Sequence, residues 1–306
     1  MKKIMFPFIL LLVLIISACG NESAEKEKSS ASKKEESGTI TYQSENGPVE
    51  VPADPQRVLV LSSFAGNVMA LDVNLVGVDS WSKMNPNFKE LKDVEEVTDE
   101  NLEKIIELNP DLIIGLSTIK NVDKLKEIAP TVTYTYGKVD YLTQHVEIGK
   151  LLNKEKEAQA WVDDFKKRAK TTGDEIKAKI GEDATVSVFE KFDKQFYVYG
   201  DNWGRGTEIL YQEMKLGMPE KVKEVALKDG YFALSLEVLK DYAGDYVILS
   251  NNKDQDNSFQ QTDTFKNIPA VKNNHVYEVN GSEFYFNDPI TLDYQLDFFS
   301  KSFLGK

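Results

Sequence analysis

Small and apolar residues recur through the middle of the chain as Ala158, Trp161, Phe165, Ala169, Thr172, Ile176 and Ile180, at steps of 3, 4, 4, 3, 4 and 4. A helix turns once every 3.6 residues, so this spacing keeps all seven on one face, whereas a strand would scatter them over both. The pattern predicts one unbroken helix over residues 155–180, about 38 Å long at 1.5 Å per residue. Gly181 supplies its stop. Such a helix at mid-chain is either a connector between two domains or a large core helix, and length alone does not choose.

The flanking sequence bears on that choice. Residues 39–52, GTITYQSENGPVEV, alternate in polarity around Asn46-Gly47 and read as a β-hairpin. A buried strand is expected at residues 58–61, and apolar runs at 74–78, 111–116 and 131–136 read as further strands. The segments NLEKIIELN and NVDKLKEIA are helical in pattern. Strands alternating with helices imply an α/β layer structure with a parallel sheet. A unit of this kind recurs after the long helix. Asn101-Leu102-Glu103 precedes Asp111-Leu112-Ile113-Ile114, and Ser235-Leu236-Glu237 precedes Asp245-Tyr246-Val247-Ile248, with eight residues from Glu to Asp in both. Each reads as N-cap, short helix, turn, aspartate and buried strand. The alternatives are chance similarity between generic units and two lobes of related topology joined by the long helix; the repeat favours the second.

The chain opens MKKIMFPFILLLVLIISACG: two lysines, an apolar run over residues 4–16 too short for a comfortable membrane span, and small residues before Cys19. This fits an export signal over residues 1–18 that resembles a bacterial lipobox, with Cys19 as the lipidated first residue of the mature chain. Cys19 is the only cysteine, so no intramolecular disulfide forms. Residues 20–37 are polar without apolar periodicity and read as a disordered tether. The formal charge of −13 becomes −15 once the two lysines of residues 1–18 are removed, which argues against nucleic acid as a partner. Only two histidines are present, His145 and His275, so a multi-histidine metal site is hard to build. No G-x-S-x-G elbow, P-loop or HExxH motif occurs, and no enzyme activity is expected.

Residues 197–206, YVYGDNWGRG, set Trp203 and Arg205 on a glycine-flanked turn, and Arg205 is one of three arginines, with Arg57 and Arg168. Glycines at 200, 204 and 206 permit unusual backbone dihedrals and the close approach of a ligand. Trp203 supplies a flat apolar face, and Arg205 a planar fork of donors that stays charged. From the residues alone, the pair is equally a packed tryptophan beside a salt-bridged arginine. Together with ISACG, PADPQRV, LEKIIELNPDLII, ATVSVFEKFDKQFYVYGDNWGRG, DYAGDYV and FYFNDPITLD, this stretch resembles the substrate-binding lipoproteins of iron–siderophore ABC importers. Within them it is most similar to the ferric hydroxamate binders of Gram-positive bacteria, and the likeness runs from the lipobox nearly to the C-terminus.

That resemblance implies a periplasmic-binding-protein-like α/β fold: one lobe over residues 39–152, one rigid connecting helix over 153–181, a second lobe over 182–306, and a ligand cleft between the lobes. It implies that Trp203, Arg205 and Tyr197 grip a ferric hydroxamate, aromatic walls meeting its aliphatic chain and the arginine its iron-bound oxygens. Tyr285, where close relatives tend to carry tryptophan, and Tyr136 complete the set. Each is otherwise a core residue: Tyr285 stands among three successive aromatics, and Tyr136 would share a strand face with Tyr134. Leu116 stands where relatives place a further tyrosine. Asp288-Pro289 reads as N-cap and first residue of a C-terminal helix, pinning the aromatic segment before it at a strand-to-helix loop. Glu103 and Glu237 would each dock on an arginine pocket of the permease, which works with its ATPase; helix-dipole complementarity explains the same two carboxylates. Iron would stay with the siderophore, so neither an intrinsic cofactor nor a protein metal site is expected. One cleft arginine in an acidic chain favours a neutral or cationic hydroxamate over an anionic catecholate; haem or a corrinoid is the further alternative. The expected state is a monomer, lipid-anchored on the extracellular face of the cytoplasmic membrane.

Overall fold

Four consecutive apolar residues, Val58–Leu61, are all buried and form the central strand of a five-stranded sheet in the computed structural model, which describes residues 38–252 and 255–305. The export signal, Cys19 and the tether over residues 20–37 lie outside the described residues. In chain order the strands are β1 (Thr39–Ser44), β2 (Gly47–Pro52), β3 (Val58–Leu61), β4 (Leu75–Val78), β5 (Glu95–Glu96), β6 (Leu112–Leu116), β7 (Thr131–Tyr134), β8 (Val186–Phe192), β9 (Gln195–Tyr199), β10 (Tyr231–Leu234), β11 (Tyr246–Asn251) and β12 (Val276–Asn280). The first sheet runs β5-β4-β3-β6-β7, all parallel. The second runs β10-β9-β8-β11-β12; β8, β10, β11 and β12 run the same way, and β9, between β10 and β8, is antiparallel to both neighbours. A parallel sheet is covered on both faces, so its strands need no polar side. Accordingly Val58, Val60, Leu112 and Ile114 enter one core, and Leu59, Leu61 and Ile113 the core on the opposite face.

The repeat seen in the sequence is a repeat of topology. Asp111 accepts the backbone N–H groups of Gln56 and Arg57 at 2.7 and 3.0 Å, just before β3. Asp245 accepts the N–H of Thr185 at 2.8 Å, just before β8. Each aspartate leads the strand that pairs in parallel with the one it caps, β6 with β3 and β11 with β8. The helical parts differ. Asn101 caps its helix by accepting the Lys104 N–H at 3.1 Å, whereas Ser235 makes no such backbone bond and its hydroxyl holds the Glu237 carboxylate instead. The β1–β2 hairpin also departs from expectation by one residue. Ser44 lies opposite Gly47, so Glu45 and Asn46 form the turn, and Gly47, at a φ of 105°, opens β2.

The long helix spans Glu155–Ile180 and buries Ala158, Val162, Phe165, Ala169, Gly173 and Ile176. Val162 and Gly173 replace Trp161 and Thr172 in the expected stripe. Ala158 belongs to the core of the first lobe, and Val162, Phe165, Ala169 and Ile176 to that of the second, so the helix connects the lobes and builds both. A second tie runs the other way. Tyr285 and Phe286, which follow β12, pack in the first-lobe core. The segment before them is a one-turn helix, Gly281–Phe284, rather than the expected loop. Asp288 then caps the Pro289–Phe299 helix by accepting the N–H groups of Ile290 and Thr291 at 3.0 and 3.2 Å. Its carboxylate rests against Gly66 of the first lobe, where an added Cβ would stand 2.1 Å from Oδ1. Asn85 donates to the Thr291 hydroxyl at 3.1 Å beside it.

Candidate functional site

The turn after β9 holds an unusual backbone. Gly204, Arg205 and Gly206 take φ angles of 67°, 60° and 82° in succession. A non-glycine residue in that region costs about 1–2 kcal/mol, so the surroundings must hold it. The Trp203 N–H donates to the Thr207 hydroxyl at 3.2 Å, the Gly204 N–H to Glu208 Oε1 at 2.9 Å, and the Arg205 N–H to the Phe284 carbonyl at 2.6 Å. A Cβ on Gly204 would stand 2.3 Å from the Tyr285 carbonyl oxygen. The sequence reading assigned these glycines to an approaching ligand. At Gly204 the close approach is made by the protein's own 284–285 backbone.

Arg205 is fixed on several sides. Its Nε donates to Glu190 Oε2 at 3.1 Å and its Nη1 to the Trp203 carbonyl at 3.2 Å, and Nη2 pairs with the same Glu190 oxygen at 3.1 Å. The guanidinium lies between two rings, 4.9 Å from the centroid of Tyr199 and 4.5 Å from that of Tyr285. Glu190 is 2% exposed and also accepts the Tyr199 hydroxyl and, at 2.9 Å, the Ser250 hydroxyl. Burial pushes the Tyr199 and Tyr285 phenols up, so both stay neutral donors. A guanidinium has five N–H groups; only Nε and one on Nη1 are donated here, so donors remain for another acceptor. The other arginines are engaged elsewhere, Arg57 on the carbonyls of Leu108 and Asn109 and Arg168 on Asp164 and Asp293.

A cavity of about 800 Å³ opens between the lobes. Ser63, Asn67 and Tyr136 line it from the first lobe, and Trp203, Glu208 and Asn287 from the second. Tyr136 meets Trp203 edge-on across it, with ring centroids 6.1 Å apart. The strand carrying Tyr134 ends there, because its partner β6 ends at Leu116. Tyr136 therefore does not share the buried face of Tyr134; it is 53% exposed. Its phenol is nonetheless pushed up to about 12, by burial first, then upward by Glu208 and downward by Arg205. A ring whose edge meets water while cleft walls displace the bulk solvent shows both properties. Glu208 is buried in the same wall, and that burial pushes its carboxyl up against the hydrogen bonds from Gly204, Asn287 and Thr207.

Of the five expected ligand residues, Trp203 and Tyr136 line this cavity. Arg205, Tyr197 and Tyr285 stand behind them and do not. Tyr197 reaches Trp203 through Tyr231, whose ring is 5.8 Å from Tyr197 and 5.0 Å from Trp203. Tyr285 is buried and stacks on Trp81 of the first lobe at 5.2 Å. Leu116 packs against the first-lobe core and does not line the cavity. Sequence reasoning missed Tyr231, Glu190 and Trp81. A carboxylate inside the apolar strand VSVFEKF, and an aromatic pair directly after Asp229-Gly230, were the available signals. Glu103 and Glu237 are both exposed, each in the first turn of its short helix. The Ser235 hydroxyl holds the Glu237 carboxyl below its ordinary value. Among the described residues no group of three or more His, Cys, Asp or Glu is placed to hold a metal ion, and no helix is long and apolar enough to cross a membrane.

The sequence matches the family described as periplasmic binding protein over residues 62–282. It is 38% identical over 303 residues to the iron(3+)-hydroxamate-binding protein FhuD of Bacillus subtilis (strain 168), covering 96% of this chain and 95% of that protein. Among solved structures, the FhuD protein from S. pseudintermedius aligns with a TM-score of 0.78 at 38% identity, over 88% of this chain and 99% of that one. FhuD2 from Staphylococcus aureus with bound ferrioxamine B aligns with a TM-score of 0.78 at 36% identity, over 82% of this chain and 99% of that one.

Proposed function

Since the chain belongs to the periplasmic binding protein family, we propose that it captures ferric hydroxamate siderophores and delivers them to an ABC permease for iron uptake. The observation that carries this reading is Arg205, held between two tyrosine rings with donors to spare, beside an interlobe cavity walled by Trp203 and Tyr136. A ferric trihydroxamate presents iron-bound oxygens as acceptors and aliphatic chain around them. The guanidinium serves the first and the aromatic rings the second. Iron is cargo: a hexadentate chelator supplies its oxygens, and the protein binds the wrapped complex without performing a reaction on it. Glu103 and Glu237 present one carboxylate per lobe to the permease, which its ATPase drives. Cys19 carries the lipid that keeps the body, a monomer, on the outer face of the cytoplasmic membrane.

Charge-assisted hydrogen bonds contribute about 1.5–3 kcal/mol each, and 1.4 kcal/mol is tenfold in affinity. Titration of tryptophan fluorescence with ferrioxamine B and ferrichrome should give saturable quenching, and Arg205→Ala should bind at least about tenfold more weakly. Absence of saturable quenching by every ferric hydroxamate would end this reading.

A further inference from the structure

Glu190 lies beneath Arg205 on β8, in a run where every residue from Val186 to Glu190 is buried. We propose that Glu190 determines specificity by charge: it neutralises the arginine of the site and so turns away strongly anionic ferric chelates, while leaving the remaining N–H groups of the guanidinium as donors. This rests on the proposed function and narrows it to neutral or cationic complexes.

A neutral acceptor would suffice to hold the arginine in place, as the Trp203 carbonyl does for Nη1 at 3.2 Å. Burying a carboxylate is costly unless it is paired and its lone pairs are met by donors. Here Oε2 takes both Nε and Nη2, Tyr199 adds its hydroxyl, and Ser250 meets Oε1 at 2.9 Å. The distinct consequence of a carboxylate is a cancelled charge. On the other side of the same turn a second buried carboxylate, Glu208, accepts the Gly204 N–H at 2.9 Å. Beyond Glu208, the cavity wall adds four lysines and four carboxylates, so it does not restore a positive balance. Those at its rim are exposed and screened by salt. A ferric tricatecholate, with three negative charges, would meet no net positive charge there. A neutral trihydroxamate forfeits nothing, and one with a pendant ammonium group is favoured.

Three variants, checked for folding by thermal melting, test this with ferrioxamine B (cationic), ferrichrome (neutral) and a ferric tricatecholate (anionic), using tryptophan quenching. At an effective dielectric of about 20, one charge about 10 Å from another shifts a binding constant roughly tenfold. Glu190→Gln should move the ratio of anionic to cationic affinity upward by about that factor or more. Arg205→Gln should move it downward, because Glu190 is then left unpaired. Glu190→Asp keeps the charge and should keep the wild-type ratio, even where binding weakens overall. Equal losses for all three chelates in both glutamine variants, or a shift by Glu190→Asp matching that of Glu190→Gln, would overturn the proposal. If Glu190→Gln does not fold, the double variant Glu190→Gln/Arg205→Gln decides: a ratio back at the wild-type value supports cancellation, and one as low as that of Arg205→Gln alone overturns it. A wild type that binds no hydroxamate defeats the proposed function itself; a wild type that binds them, with variants whose ratios stay put, defeats only the role of Glu190.

Discussion

A methyl group on Gly204 has no room. The backbone sits at a φ of 67°, and an added Cβ would lie 2.3 Å from the Tyr285 carbonyl oxygen, a contact between main chains that no rotamer change relieves. Gly204→Ala should therefore destabilise the protein by roughly 2–3 kcal/mol, read as a lower urea midpoint. It should also weaken chelate binding, because Trp203 and Arg205 flank it. An unchanged midpoint would show that the 284–285 segment yields easily, contrary to this geometry. Trp203 and Arg205 were legible in the sequence because both are rare residue types set among glycines. Glu190 was not, since the carboxylate inside VSVFEKF stands out locally but nothing in the sequence says that it meets Arg205. Tyr231 was hidden for another reason: it reaches the site only because it lies opposite Tyr199 in the β9–β10 register, a pairing across 31 intervening residues that no local pattern encodes.

Among the elements, helices and parallel strands were largely legible and their ends were not. The long helix appears as Glu155–Ile180, where the 3.6-residue stripe placed it. The alternation of TVTYTY, by contrast, continues past β7, which stops where its neighbour stops; periodicity does not show where a partner ends. The antiparallel β9 was missed because its hairpin with β8 is set by pairing, and β10 because it reaches β9 only across the intervening chain. The Pro289–Phe299 helix makes a prediction at this scale. Burial raises its cap, Asp288, to about 6, against hydrogen bonds from Thr291 and Ile290 that lower it. An aspartate raised above its unfolded value near 3.9 binds its proton more tightly in the folded state. Its contribution to stability is therefore fully present below about pH 4 and lost as pH rises through about 6. Asparagine keeps one acceptor oxygen and does not titrate. The stability of the wild type minus that of Asp288→Asn should fall by about 2 kcal/mol between pH 4 and pH 7, measured by urea unfolding at each pH. A difference independent of pH would mean that the carboxyl titrates normally and is better hydrated than its place against Gly66 indicates.

In the whole molecule, the two lobes are tied twice, by the helix whose stripe enters both cores and by the segment that places Tyr285 and Phe286 in the first-lobe core while Asp288 rests on Gly66. Two ties running in opposite directions resist both hinge opening and twist, so the carboxylates of Glu103 and Glu237 are presented with little variation in spacing. This matters for docking. A single exposed ion pair is weak, but two on one stiff body act together, because the first contact raises the effective concentration of the second. Glu103→Lys and Glu237→Lys should each leave ferrioxamine B affinity unchanged, since neither residue lines the cavity. Each should slow the uptake of iron-labelled ferrioxamine B by cells that depend on this protein. Most of the joint action is lost with the first contact, so the double variant should fall short of the product of the two single losses. Wild-type uptake in both single variants would detach the glutamates from transport. Losses that multiply freely would mean that the lobes engage the permease one at a time, and that the second tie does not hold their spacing during delivery.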